Sequence, residues 1–217
     1  KFRPFFQFFQ IRQGKQEDTG YKWIAKTTLE NNWTHEFPDE LGGYRLGKVK
    51  NRRLDDMSEE EREIQKHKKA FRTVYGTVEM PDAVNEKEEP NPLEATPVQF
   101  HMSGDSYTAF EDAMKVIQNA GALPMRYVLD LTTQRVKKGG NTYYIPVVAQ
   151  ELNSHGFIEG DGELFSMFEE HAKHINANVM AKYTEAQSKM AKDKSREEDA
   201  ETIIGELDKD LDDDIPF

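Results

Sequence analysis

The sequence predicts a mainly β core, a small antiparallel barrel with added helices and insertions, followed by an acidic flexible tail. Three observations predict it. Runs rich in aromatic and β-branched residues recur over the first 150 positions, separated by Gly- and Pro-containing turns. Only 36% of the 217 residues are hydrophobic while 32% are charged, which suits a folded core diluted by solvated segments. The net charge of −11 is also unevenly spread. Residues 1–53 hold eleven bases against six acids, whereas residues 193–217 hold eleven acids against three bases. A basic front and an acidic back point to two different partners.

Taken in order, residues 2–12 (FRPFFQFFQIR) and 21–29 (YKWIAKTTL) are aromatic and β-branched. With Gly14 and Gly20 in the loop between them, they read as a hairpin, and the Phe2 to Phe9 aromatics belong mainly to the core. Residues 30–53 carry the turn signals Asn31, Asn32, Pro38, Gly42 and Gly43. Ser58 and Glu61 form a capping box that opens a charged helix to about residue 70. Residues 71–80 read as a strand with Gly76 at a bulge or close approach. Residues 81–97, with four prolines, read as a solvated loop, and 98–102 as a strand. Over 106–120, Phe110, Ala113, Met114 and Ile117 recur at helical spacing before Gly121. Residues 125–135 and 142–152 flank the turn Lys137, Lys138, Gly139, Gly140 and Asn141, and Met125, Tyr127, Leu129 and Leu131 share one face. A helix follows over about 163–192. Beyond 193 core formers vanish, although Ile203, Ile204 and Leu207 leave room for a helical turn. About six strands with one helix between them fit an OB-fold-like barrel. The core then spans 1–160, with 30–70 and 81–97 as insertions, a C-terminal helix covers 161–192, and the acidic tail covers 193–217.

Several function classes lack their residues. Without cysteine there is no disulfide, thiol nucleophile or cysteine metal site, and a reducing compartment is the economical expectation. No apolar run reaches the roughly 18–20 residues that span a membrane, and the aromatic start lacks a signal-peptide cleavage pattern. Phosphate-loop, zincin and nucleophile-elbow motifs are missing. His171 and His174 lie three apart without a recognised metal motif, and Asp208, Asp210, Asp212 and Asp214 alternate without the glycine and distal glutamate of a calcium loop. The acids Asp105, Glu111, Asp112 and Asp130 single out no catalytic set. No catalytic residue, metal or cofactor is expected.

The most distinctive stretch is Asp212, Asp213, Asp214, Ile215, Pro216 and Phe217. An acidic run ending in an apolar, Pro-stiffened aromatic suits docking: Phe217 fills an apolar pocket, its carboxylate meets a basic rim, and the aspartates steer the approach. These six residues resemble the C-terminal tip of bacterial single-stranded DNA-binding proteins of the common tetrameric family, and phage-encoded counterparts also end in acids and Phe. The resemblance implies docking on replication, recombination and repair proteins. It covers the tip alone, since the rest lacks the Gly- and Gln-rich linker and the compact bacterial domain, which favours a phage or divergent protein in a bacterial cytoplasm.

The second signal is aromatic residues interleaved with bases, as single-strand binding requires: flat side chains stack on bases, worth roughly 1–3 kcal/mol each, while cations follow the backbone. The candidates are Tyr21, Lys22, Trp23 and Lys26; Trp33, Tyr44, Arg45, Lys48 and Lys50; and Arg126, Tyr127, Arg135, Lys137, Lys138 and Tyr143. Arg52, Arg53 and Tyr144 lie in the same stretches. The expected function is therefore non-enzymatic: binding single-stranded DNA without strong sequence preference and recruiting partners through the tip, with homo-oligomerisation open and no membrane partner. The alternatives are an adaptor that binds replisome proteins alone, and a nuclease or recombination enzyme bearing the same tip.

Overall fold

The computed structural model describes residues 1–17, 20–32, 37–44, 58–59, 62, 66–121, 123–148, 153–154, 156 and 158–212. Four strands, β1 (Phe2–Glu17), β2 (Gly20–Lys26), β3 (Lys68–Met80) and β4 (Leu93–Met102), form an antiparallel sheet in the order β2-β1-β3-β4. The sheet curls into a half-barrel, so the mainly β core with added helices is present. The first hairpin stands where the sequence places it, with both strands running into the expected loop.

β1 is the organising strand. It pairs with β2 and β3, and its start also bridges Leu129. In a regular strand, residues an odd number apart face opposite ways, so Phe2 and Phe9 should be separated by the sheet. A register shift between Pro4 and Phe6 changes the phase. Phe2 then packs with Val74, Val78 and Met102, and Phe9 lies on Tyr107, on the same side. Proline is tolerated in this central strand because it sits at the bulge. Gly76 stands opposite Pro4, and a Cβ there would run into the Arg3 carbonyl and the Phe2 ring.

Helices cover both faces. α1 (Asp105–Asn119) presents Phe110, Met114 and Ile117, spaced at i, i+4 and i+7, to the cluster around Phe2 and Leu129. Gly121, at φ 64°, ends it as predicted. On the other face α2 (Asp161–Asp212) brings Phe168 and Ala172 onto Phe5, Leu29 and Tyr75. A bidentate pair fixes its start: Arg3 donates from Nη1 to Asp161 Oδ1 at 2.6 Å and from Nη2 to Oδ2 at 2.7 Å, both side chains buried. Arg3 Nε also donates to the Met125 carbonyl at 2.6 Å, and Asp161 Oδ2 accepts the Ile158 N–H at 2.9 Å.

Five boundaries differ from expectation. Glu59, Arg62 and Lys66 are helical, while Glu61 of the expected capping box lies outside the described residues; β3 already begins at Lys68, where pairing with Gln13 of β1 wins over local propensity. β4 begins at Leu93 rather than Val98, and its Pro97 is accommodated on an edge strand. β2 ends at Lys26 rather than Leu29, and the start of the expected 30–70 insertion is tied to the core: Phe37 and Asp39 are buried, as are Thr27 and Leu29 before it, and the Leu29 backbone exchanges hydrogen bonds of 2.7 and 3.0 Å with the Asn176 amide of α2. Residues 124–126 form a 3-10 turn opened by Pro124, followed by β5 (Tyr127–Val128), so Met125 reaches the core without belonging to a strand. α2 continues to Asp212 through the segment expected to be a flexible tail, because its Ala, Glu, Lys and Leu residues favour helix and no proline falls before Pro216. β6 (Leu131–Lys138) and β7 (Asn141–Val148) make the predicted hairpin, with Gly139 at φ 62° as a II′-like turn requires. β5 pairs with β8 (Asn153–Ser154).

Replacing Gly76 with Ala should destabilise the fold by about 1–3 kcal/mol, the usual range for overpacking. Urea denaturation would show a lower midpoint at unchanged slope; an unchanged midpoint would mean that the close approach of β1 and β3 does not constrain the fold.

Candidate nucleic-acid interface

The register of three strands sets a row of cations across the sheet. Lys26 of β2 lies directly opposite Arg12 of β1, and Arg12 lies directly opposite Lys69 of β3. With strands about 4.8 Å apart, the row spans roughly 10 Å. Like charges directly opposite one another destabilise a sheet. Among the described residues, neither Arg12 nor Lys26 forms an ion pair that would offset this.

Arg12 is held rather than loose. Its guanidinium lies 4.5 Å from the centre of the Phe71 ring, its Nε donates to Gln10 Oε1 at 2.7 Å, and its Nη2 lies 3.2 Å from His101 Nδ1. Gln10 is itself buried and anchored to the Thr27 carbonyl at 2.8 Å. Partial burial lowers the Arg12 pKa, opposed by Tyr75, yet a guanidinium stays charged at neutral pH. Beside it Trp23 stands edge-on to Phe71 at 5.3 Å and 78°, with the Lys69 ammonium 5.9 Å from the indole centre. Phe71 is buried while Trp23 is 39% exposed, so a partly exposed flat ring stands among cations.

His101 of β4 completes the group. Arg12 has donors only, so Nδ1 must accept, which leaves the imidazole proton on Nε2 as an outward donor. Thr73 Oγ1 lies 3.0 Å from the same Nδ1. Partial burial, followed by the charges of Arg12, Lys26 and His171, pushes the His101 pKa down to about 4, so the ring is neutral at pH 7. The nearby Tyr75 hydroxyl accepts Gln99 Nε2 at 2.7 Å, and burial raises its pKa to about 12, against the pull of Arg12.

The β6–β7 hairpin carries a second basic surface. Arg135 pairs across the ladder with Tyr144 and Lys137 with Thr142, so these four share one face. Tyr144 is 64% exposed there. Tyr143 belongs to the opposite face: it is half-buried and its hydroxyl donates to Asp105 at the start of α1, which raises its pKa. Alternation thus places Tyr144, not Tyr143, beside Arg135.

Of the remaining sequence candidates, Lys22 is exposed on β2, and Tyr21 lies on the same strand. Tyr44 is exposed and stands 5.8 Å from Tyr183 of α2, far along the chain. Arg126 is exposed on the 3-10 turn, Tyr127 packs against the α1-side core, and Lys138 is exposed at the hairpin end. Trp33, Arg45, Lys48 and Lys50 lie outside the described residues, as do Asp213, Asp214, Ile215, Pro216 and Phe217 of the tip; Asp212 is the last residue of α2. The structure therefore brings Trp23 and Lys26 together, and Arg135 and Lys137 together. Sequence reasoning missed Arg12, Lys69, Phe71 and His101. In the sequence Arg12 and Phe71 look like ordinary strand residues, and only the cross-strand register reveals their company.

Among the described residues no group of three or more metal-ligating side chains occurs, and no helix is long and apolar enough to cross a membrane. His174 lies 3.1 Å from Asn178, while His171 meets the Tyr75 ring edge at 5.6 Å. No protein-family model, curated protein or solved structure matches this chain.

Removing the charge of Arg12 should raise the His101 pKa from about 4 toward, but not to, the ordinary 6.5, because the contribution of burial remains. Since the folded value lies below the unfolded one, stability is lost as pH falls from about 6.5 toward 4. Titrating the imidazole resonances of wild type and Arg12→Gln checks this; identical midpoints would remove Arg12 as a cause.

Proposed function

We propose that this protein binds single-stranded DNA without strong sequence preference on the OB-like curled sheet and the β6–β7 hairpin. The observation that carries the reading is the Lys26, Arg12 and Lys69 row beside the exposed Trp23. A single strand offers phosphates at one edge and bare base faces at the other, so its binder needs cations and a flat ring side by side. The hairpin supplies the same pair of chemistries with Arg135, Lys137 and Tyr144. Duplex DNA keeps its base faces stacked, so a ring that reads faces gains little from it.

The 212–217 stretch supports the second half of the proposal, recruitment of replication, recombination and repair proteins. Its acids and the apolar Ile215, Pro216 and Phe217 suit a basic-rimmed apolar pocket. It needs no contact with DNA to serve this purpose, and the two activities should separate genetically.

Fluorescence anisotropy with labelled oligo-dT and matched duplex tests the reading. Salt-sensitive binding to the single strand, weak on duplex, is expected, and Trp23→Ala should weaken it by about 1–3 kcal/mol, or roughly 5- to 150-fold. No binding at low salt, in the full chain and in one lacking 212–217, would overturn DNA binding and leave an adaptor. Deleting 212–217 should abolish capture of replication proteins while oligo-dT affinity is retained; capture that survives would overturn the docking role.

A further inference from the structure

We propose that Arg12 and Lys26 form a phosphate cradle beside His101, a fixed site for one phosphate oxyanion on the sheet. The inference deepens the DNA-binding reading by naming where a backbone phosphate sits, but its own chemistry asks only for a phosphate group.

Two cations facing each other on neighbouring strands have donors without a protein acceptor among the described residues. Arg12 spends Nε on Gln10 and Nη2 on His101, so Nη1 has no hydrogen-bond partner among the described residues. Lys26 is half-buried on the neighbouring strand, and its ammonium likewise has none. His101 accepts from Arg12 at Nδ1, so its Nε2–H points away from that guanidinium and the ring stands beside the two cations as a neighbour rather than as a third donor. Each comes from a different strand of one sheet, and Arg12 is fixed by the Phe71 ring and the buried Gln10. This is more order than a solvated surface arginine has, so little conformational entropy remains to be lost on binding. A partly buried guanidinium with no carboxylate partner among the described residues carries a desolvation cost that a bound anion would offset. Phosphate suits the pair, because its several oxygens can meet two cations arriving from separate strands.

The groups facing His101 make it a reporter of the occupant. Arg12 approaches from β1, Lys26 from β2, the Thr73 hydroxyl from β3 and His171 from α2. The three charged or chargeable groups oppose protonation, so an anion among them must raise the pKa.

The experiment follows the His101 imidazole in the full chain by NMR, titrating inorganic phosphate against chloride at equal ionic strength. Phosphate should shift the resonances and raise the midpoint above about 4. Arg12→Gln and Lys26→Gln should each abolish the phosphate-specific shift. In parallel, the salt dependence of oligo-dT binding should fall by about 0.7 in logarithmic slope for each variant, as expected when one phosphate fewer is neutralised on a single strand. Two outcomes overturn the cradle. One is a His101 response identical in phosphate and chloride. The other is oligo-dT binding with unchanged slopes in both variants, which would leave the DNA reading standing without it. A phosphate-specific shift in a protein that does not bind oligo-dT would support the cradle, assign it to a free phosphate source and remove the DNA reading.

Discussion

Burial of β1 on both faces is the constraint on which the rest of the structure depends. A strand whose Phe2, Phe9 and Ile11 are buried, and whose Phe5 meets Phe168 at 5.4 Å on the other side, needs cover above and below. Strict alternation would put Phe2 on the side opposite Phe9 and Ile11. The shift at Pro4 and Phe6 supplies the change of phase, and Gly76 makes room for it. From this follow α1 on one face, α2 on the other, and a strong curl between. The same register continues to Arg12, so the bulge also decides which of the basic residues near the end of the strand share a face with Phe71.

The buried Arg3–Asp161 pair links that strand to the start of α2. Two charges removed from water are held together by two short bonds, and two further Arg3 donors meet the carbonyls of Met125 and Gly156. Removing either partner would leave a buried charge, a loss of about 3–5 kcal/mol in comparable pairs. Its consequence reaches the interface. With its first turn fixed at Asp161, α2 passes over Tyr75 and delivers His171 to the cation cluster about three turns later. Farther on, Lys182 meets Glu40 at 3.0 Å and Gln187 donates to the Gly42 carbonyl, which fastens residues 39–44 to the same helix.

Much of the fold was legible in the sequence because it is written in local periodicity. The 3.6-residue recurrence of Phe110, Met114 and Ile117, the two-glycine turn of the second hairpin and the core character of Phe2 to Phe9 all appear in the structure. Element ends were less legible, since they depend on distant partners: Lys68 is extended because Gln13 is there to pair with it. The site was legible by composition and not by geometry. Trp23 and Lys26 stood out as an aromatic near a base, but Arg12 and His101, 89 positions apart, meet only through the order of four strands. Tyr143 and Tyr144 show the limit most clearly. Neighbours in a strand have the same composition around them, yet one is tethered to Asp105 and the other is open.

The cation row is where local stability and the arrangement of the sheet disagree. In a chain of net charge −11, with 40 acids available, nothing in composition prevents a carboxylate from standing opposite Arg12. The sheet instead sets lysines on both sides of it, and the two strands still pair in register there. Sequences that specify a fold well usually keep local and global preferences in agreement, and the exceptions concentrate at functional positions. Acids do appear where the fold needs neutralisation: Asp161 with Arg3, Glu40 with Lys182, Glu111 with Lys115. Among the described residues, their absence beside Arg12 and Lys26 is therefore local rather than general. A surface that repels itself in the free protein is one whose repulsion is relieved by an anion, and the same charges that cost stability then favour binding.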